Sequence, residues 1–163
     1  MNIIDEIGIL AISTRLQRLS EQLRKDGAQI YSYFNIDFEP KWFPVIYTLH
    51  VKEMLSVVEI ASEIGYSHPS TISLLKELEK EKIISSKKDK QDERKRLIIL
   101  TAKGKELVSK MQPVWSIMTK ALNEITNTQN NLLRAIEEAE QNLTRQGFFQ
   151  KAIEIKAKTN LCL

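Results

Sequence analysis

A mainly α-helical fold with one small β-hairpin is what this chain predicts, and three observations carry it. Apolar residues recur at helical spacing in long segments at both ends. Two short helical patterns meet at a glycine, Gly65. A highly charged stretch, KKDKQDERKR at residues 87–96, lies between two β-like runs, Ile83-Ile84-Ser85-Ser86 and Leu97-Ile98-Ile99-Leu100-Thr101. That stretch sets Lys87, Lys88, Lys90, Arg94, Lys95 and Arg96 against Asp89, Asp92 and Glu93, so its positive excess equals the net charge of the whole chain, +3. A hairpin with a cationic tip suits a polyanion, because each cation on a phosphate releases condensed counterions. Taken alone, a charge run is equally the mark of a solvated loop.

Each element follows in order. From residue 3 to about residue 34 the spacing predicts one long helix, with Ile3, Ile7, Leu10 and Ala11 on a stripe that Leu16, Leu19 and Leu23 continue. A helix of that length in a small chain calls for a partner to cover it. Pro40 and Pro44 suit the first turn of a second helix bearing Trp42, Phe43, Val45, Ile46 and Leu49. Ser56-Val57-Val58-Glu59 reads as a capping box, the serine accepting from the Glu59 amide and the glutamate reaching back. The helix it opens closes at Gly65, through a left-handed conformation. After the turn at Tyr66, a further helix starts with Ser67 or His68 as its cap and runs to about Glu81, with Ile72, Leu75 and Leu78 as its core face. Two short helices around a tight glycine turn make a helix-turn-helix, and the hairpin follows as a wing. Beyond Thr101, a cap, a long helical pattern runs from Leu107 to Ile125 with Pro113 inside it. The polar stretch at residues 126–131 and Gly147 divide the remainder into two more helices. The organisation expected is a single domain over residues 1–163. Its winged helix-turn-helix core is 35–101, and the flanking helical regions 1–34 and 102–163 serve dimerisation.

Composition narrows the function classes. A chain of 163 residues with 42% hydrophobic and 28% charged residues is that of a soluble globular protein. The lone cysteine, Cys162, cannot form an internal disulfide. The acidic start MNIIDEIGIL is unlike a signal peptide, and no apolar run approaches the ~20 residues of a membrane span. A cytoplasmic location is expected. His50 and His68 have no cysteine near them in the sequence, so no metal site is expected. No Gly-rich pyrophosphate loop and no nucleophile–base pair is visible, so neither a catalytic site nor a cofactor is expected.

Residues 55–107, LSVVEIASEIGYSHPSTISLLKELEKEKIISSKKDKQDERKRLIILTAKGKEL, resemble the MarR family of winged-helix transcriptional regulators. Asp92-Glu93-Arg94 followed by Leu97–Thr101 and Gly104 is the most diagnostic part, and the element order agrees over nearly the whole chain. More narrowly, residues 7–16 and DFEPKWFP at 37–44 look like the regulator half of proteins that fuse this domain to a GNAT-type acetyltransferase. A stand-alone regulator is expected.

The resemblance implies a homodimer on double-stranded DNA. Ser67, His68, Ser70, Ser73 and Leu74 would then lie on the recognition helix, and Lys90, Asp92, Arg94 and Lys95 on the wing. The stripe opposite the expected core face, Ser70, Ser73, Leu74 and Glu77, offers hydroxyls to bases or phosphates and Leu74 to a thymine methyl. It carries no cation, so affinity is expected from the wing. There Arg94 matches the family's wing arginine, with Asp92 orienting its guanidinium toward the minor groove. Two departures stand out: Leu74 where many relatives carry Arg or Gln, and Gln91 where an arginine is frequent. In the family, effectors bind between the dimerisation helices and the winged helix, which nominates Arg15, Tyr31, Trp42 and Tyr47 for a small aromatic or anionic effector. Simple core packing is the competing reading of those aromatics. Dimer contacts fall to Ile3, Ile7, Leu10, Leu132, Ile136 and Leu143. The alternative function is a regulatory or protein-interaction subunit associated with an acetyltransferase-type enzyme.

Overall fold

A computed structural model describes residues 2–88 and 96–159. The chain forms two compact units, Met1–Val114 and Trp115–Leu163.

The first unit opens with a short helix α1 (Ile3–Glu6), a 3-10 turn (Gly8–Ala11) and the long helix α2 (Ile12–Tyr33). The expected continuous helix is thus broken near its start. Gly8 takes φ +73°, a left-handed conformation that glycine adopts without steric cost. A second 3-10 turn (Pro40–Trp42) leads into α3 (Phe43–Lys52), where the prolines occupy first-turn positions as expected. The helix-turn-helix is α4 (Val57–Ile64) and α5 (His68–Lys80), and the wing strands are β2 (Ile84–Lys88) and β3 (Arg96–Leu100).

One strand was not foreseen. β1 (Met54–Ser56) pairs antiparallel with β3, Leu55 opposite Ile98, and makes a three-stranded sheet in the order β1-β3-β2. Three residues are too few to show strand alternation, and the pairing partner is remote in sequence. The core gathers Val45, Ile46 and Leu49 of α3, Ile60 of α4, Leu78 of α5, Ile84 of β2 and Met111. Met111 lies on α6 (Ala102–Thr126), which continues through Pro113. Thr101 caps α6 by accepting from the Gly104 amide at 3.1 Å, and its own hydroxyl donates to the Lys82 carbonyl at 2.7 Å. At Gly104 the helix passes so close to the Ile83 carbonyl that a Cβ would stand 2.2 Å from its oxygen.

In the second unit the polar stretch and Gly147 separate α7 (Leu132–Arg145) from α6 and α8 (Phe148–Thr159) from α7, as expected. The Asn131 side chain caps α7 by accepting from the Arg134 amide at 3.0 Å. No residue of α7 or α8 is buried.

Candidate nucleic-acid interface

Local hydrogen bonds place the two short helices. The Glu59 amide donates to Ser56 Oγ at 3.3 Å, and the Ser56 amide donates to Glu59 Oε2 at 2.7 Å, which completes the box. Gly65, at φ +67°, ends α4 in the left-handed conformation. Ser67 caps α5 by accepting from the Ser70 amide at 3.3 Å, and the hydroxyls of Ser67 and Ser70 share a hydrogen bond of 2.8 Å. Both serines are exposed at the start of the helix, as is His68.

The face of α5 turned inward differs from the expected one. Thr71, Leu74, Leu75 and Leu78 are buried, while Ile72 is only half-buried. Thr71 is 0% exposed although polar, because its hydroxyl donates to the Ser67 carbonyl at 3.0 Å. A satisfied hydroxyl costs little to bury, so the core face turns toward Thr71 and Leu74 while Leu75 and Leu78 stay inside. The shift is roughly 50°, half of the ~100° step between residues on a helix. Leu74 is therefore 9% exposed and packed inside, not presented to a thymine methyl. Glu77 also leaves the outward stripe: it accepts from Trp42 Nε1 at 3.1 Å and pairs with Lys41 Nζ at 2.7 Å.

The exposed stripe of α5 is instead Pro69, Ser73, Lys76 and Lys80. Two cations stand where none was expected. The wing strands carry exposed Lys87, Lys88 and Arg96, of which Arg96 lines a cleft together with Lys76. Lys88 sits directly opposite Arg96 in the ladder, and Arg96 donates to Ser86 Oγ at 2.8 Å. Like charges in a cross-strand pair are unfavourable by themselves. A cleft of about 590 Å³ separates α4, α5 and β3, with Val58, Ile72 and Ile98 among its lining and His68, Lys76 and Arg96 among its polar groups. Lys90, Asp92, Arg94 and Lys95 of the wing tip lie outside the described residues.

The nominated effector residues occupy three separate environments. Tyr31 and Trp42 are buried in one edge-to-face stack through Phe38, with ring centroids 4.8 Å and 5.9 Å apart. Tyr47 is 46% exposed on α3, its ring 5.4 Å from that of Phe43. Arg15 is exposed on α2, where its Nε lies 3.9 Å from Asp5 Oδ1. Tyr33 and Phe34 form a further, exposed pair with ring centroids 5.2 Å apart. No helix among the described residues is long and apolar enough to cross a membrane.

Residues 43–111 match the family model described as "Transcriptional regulator SarA/Rot". No curated protein sequence matches significantly. Among solved structures, the S. aureus MepR–DNA complex superposes with a TM-score of 0.64 at 23% identity, covering 82% of this chain and 93% of that one. A mutant MarR from E. coli, complexed with operator DNA, gives 0.62 at 17% identity, covering 88% and 99%. Bordetella bronchiseptica BpsR, whose DNA binding is regulated by 6-hydroxynicotinic acid, gives 0.57 at 18% identity, covering 78% and 97%. These likenesses establish the fold, and the matched segment spans α3, the helix-turn-helix, the wing and the start of α6. The chain therefore has the winged helix-turn-helix fold of these proteins, and its residues 43–111 match a family of transcriptional regulators.

Proposed function

We propose that this DNA-binding regulator acts as a homodimer on a pseudo-palindromic operator, its recognition helices in successive major grooves and its wings on the flanking backbone. The observation that carries the reading is the exposed cleft that α5 and the wing share, where His68 and Lys76 of α5 and Arg96 of β3 meet, with Lys80 of α5 and Lys87 and Lys88 of β2 also exposed. Ser73 is the α5 side chain best placed for base edges, and Ser67, His68 and Ser70 suit phosphates at the helix start. Arg94, Lys90 and Lys95, with Asp92 orienting the arginine, add the wing-tip contacts. Dimerisation is supported by the apolar residues left exposed on the terminal helices, Leu10, Leu133 and Leu143 among them. Two-fold symmetry then requires half-sites about one helical turn apart, ~34–36 Å. A small aromatic or anionic effector completes the reading. Of the nominated residues, Arg15 and Tyr47 are the exposed ones that such a ligand would meet.

The test is DNA affinity across a salt series. Lys76→Ala and Arg94→Ala should each weaken binding to all duplexes and lower the slope of log K against log salt by about one unit. Unchanged slopes in both variants would remove this surface from the interface. Light scattering that returns a monomer at micromolar concentration would remove the dimer.

A further inference from the structure

The recognition helix is tied to the long first helix through one polar node. Trp42 is buried, so its indole N–H is withdrawn from water and needs an acceptor. Glu77 of α5 supplies it, at 3.1 Å. The same carboxylate oxygen lies 2.7 Å from Lys41 Nζ, and that ammonium is also 3.0 Å from Glu39 Oε2. On its other side Trp42 stacks edge-to-face on Phe38, which stacks in turn on Tyr31 of α2. Contact therefore runs from α2 through Phe38 and Trp42 to Glu77, outside the aliphatic core.

Glu77 is costly for a protein that binds a polyanion. It puts a negative charge on the helix that meets DNA, between the cations Lys76 and Lys80 in sequence. Like any glutamate it is charged at neutral pH, and the Lys41 ammonium and then the Trp42 N–H hold its carboxyl below the ordinary range. A neutral or basic residue here would serve phosphate contact better, so the carboxylate answers a different need.

We infer that Glu77 is a positioning residue for operator recognition: by holding Trp42 Nε1 and Lys41 it sets the roll of α5, and so decides that Ser73 and Lys76 face the groove. This rests on the DNA-binding reading above. Among the described residues, further hydrogen bonds of α5 sit at its ends, at the Ser67 cap and at the Ile83 amide, which donates to the Leu78 carbonyl at 3.0 Å. The Glu77 node adds a polar restraint between them, beside the packing of Leu74, Leu75 and Leu78.

The experiment separates positioning from charge and from simple stability. Wild-type protein first selects preferred duplexes from a random library. Affinity for a selected duplex and for its scrambled version is then measured for wild type, Glu77→Ala and Glu77→Gln, together with thermal unfolding. Loss of an anion alone would tighten binding to every duplex. Loss of positioning instead lowers the selected-to-scrambled ratio, here about tenfold for Glu77→Ala, at a temperature where the unfolding curve shows the variant still fully folded. Glu77→Gln keeps an amide oxygen for the indole and should retain most of the ratio. An unchanged ratio in Glu77→Ala overturns the inference. So does a loss of affinity that tracks a loss of stability in both variants. Hydrogen exchange at the Trp42 indole tests the tie in free protein: slow in wild type and Glu77→Gln, faster in Glu77→Ala. Equal exchange in all three also overturns it. A selection that returns no preferred sequence would instead count against operator binding itself, and the indole exchange would still decide the tie.

Discussion

The helix-turn-helix with its wing and the terminal helices solve the same problem, apolar surface, in opposite ways. In the first region the large side chains are enclosed by their own chain, with Ile46, Ile60 and Leu78 all 0% exposed. In the second they face outward: Leu10 is 85% exposed, Phe148 79%, and α7 and α8 bury nothing. Scattered apolar residues on a surface are ordinary, but a run of them along whole helices marks a contact still to be made. Among the described residues, the helix-turn-helix buries its core within its own chain. The terminal helices leave apolar surface uncovered, and a second copy is the partner proposed for it.

The sharpest way to break that contrast is Leu10→Glu. In a dimer it places an unpaired carboxylate in an apolar contact, which costs several kcal/mol, so self-association should weaken by about a hundredfold or more. Sedimentation checks it, and unchanged association would free Leu10 from the interface. The enclosed region should respond differently. Gly104→Ala forces a Cβ against the Ile83 carbonyl and should lower stability by about 1–3 kcal/mol in urea melts while leaving the α7 and α8 helices formed. An unchanged midpoint would mean that the backbone there gives way freely.

A paired comparison of caps sharpens the contrast further. Ser56→Ala removes the cap of α4 and should cost ~1 kcal/mol of the cooperative transition. Asn131→Ala removes an equivalent cap from α7, a helix without buried residues, so it should fray that helix and leave the main transition in place. Identical effects on the main transition would show the two regions to unfold as one.

The smallest effect is expected in acid. On α8, Lys158, then Gln146 and Lys151, hold the Glu154 carboxyl at about 2, against an ordinary 4.5. A depressed folded pKa contributes stability above the ordinary value and loses it as pH falls through the folded one. The helicity of α8 should therefore decline as pH falls from 4.5 toward 2, and Glu154→Gln should remove that decline. These ion pairs lie at the surface of α8, a helix without buried residues, so the change belongs in residue-level amide signals at low salt, not in the global melt. A decline that survives in Glu154→Gln would assign it to another carboxylate.

Much of this architecture was written locally. The Ser56–Glu59 box, the Ser67 cap, the left-handed Gly65, the Thr101 cap and both wing strands depend on neighbours a few residues away. Their hydrogen bonds are fixed by spacing alone, and so were legible from the chain. The organisation of helix-turn-helix and wing followed from them, and with it the resemblance to winged-helix regulators.

What neighbours in space decide was not legible. Gly8 could be passed over because an apolar stripe continues across it, yet its positive φ breaks the helix. The strand β1 exists because β3 lies beside it. Thr71 joins the inward face of α5 because the Ser67 carbonyl accepts a hydrogen bond from its hydroxyl. In that orientation Leu74 is enclosed, Glu77 meets Trp42, and Lys76 and Lys80 face outward. Apart from the break at Gly8, residue order alone therefore determined where the helices begin and end. Which side of a helix meets solvent was decided by tertiary structure, because a polar side chain counts as core only when another element, or the turn before it, satisfies its hydrogen bond.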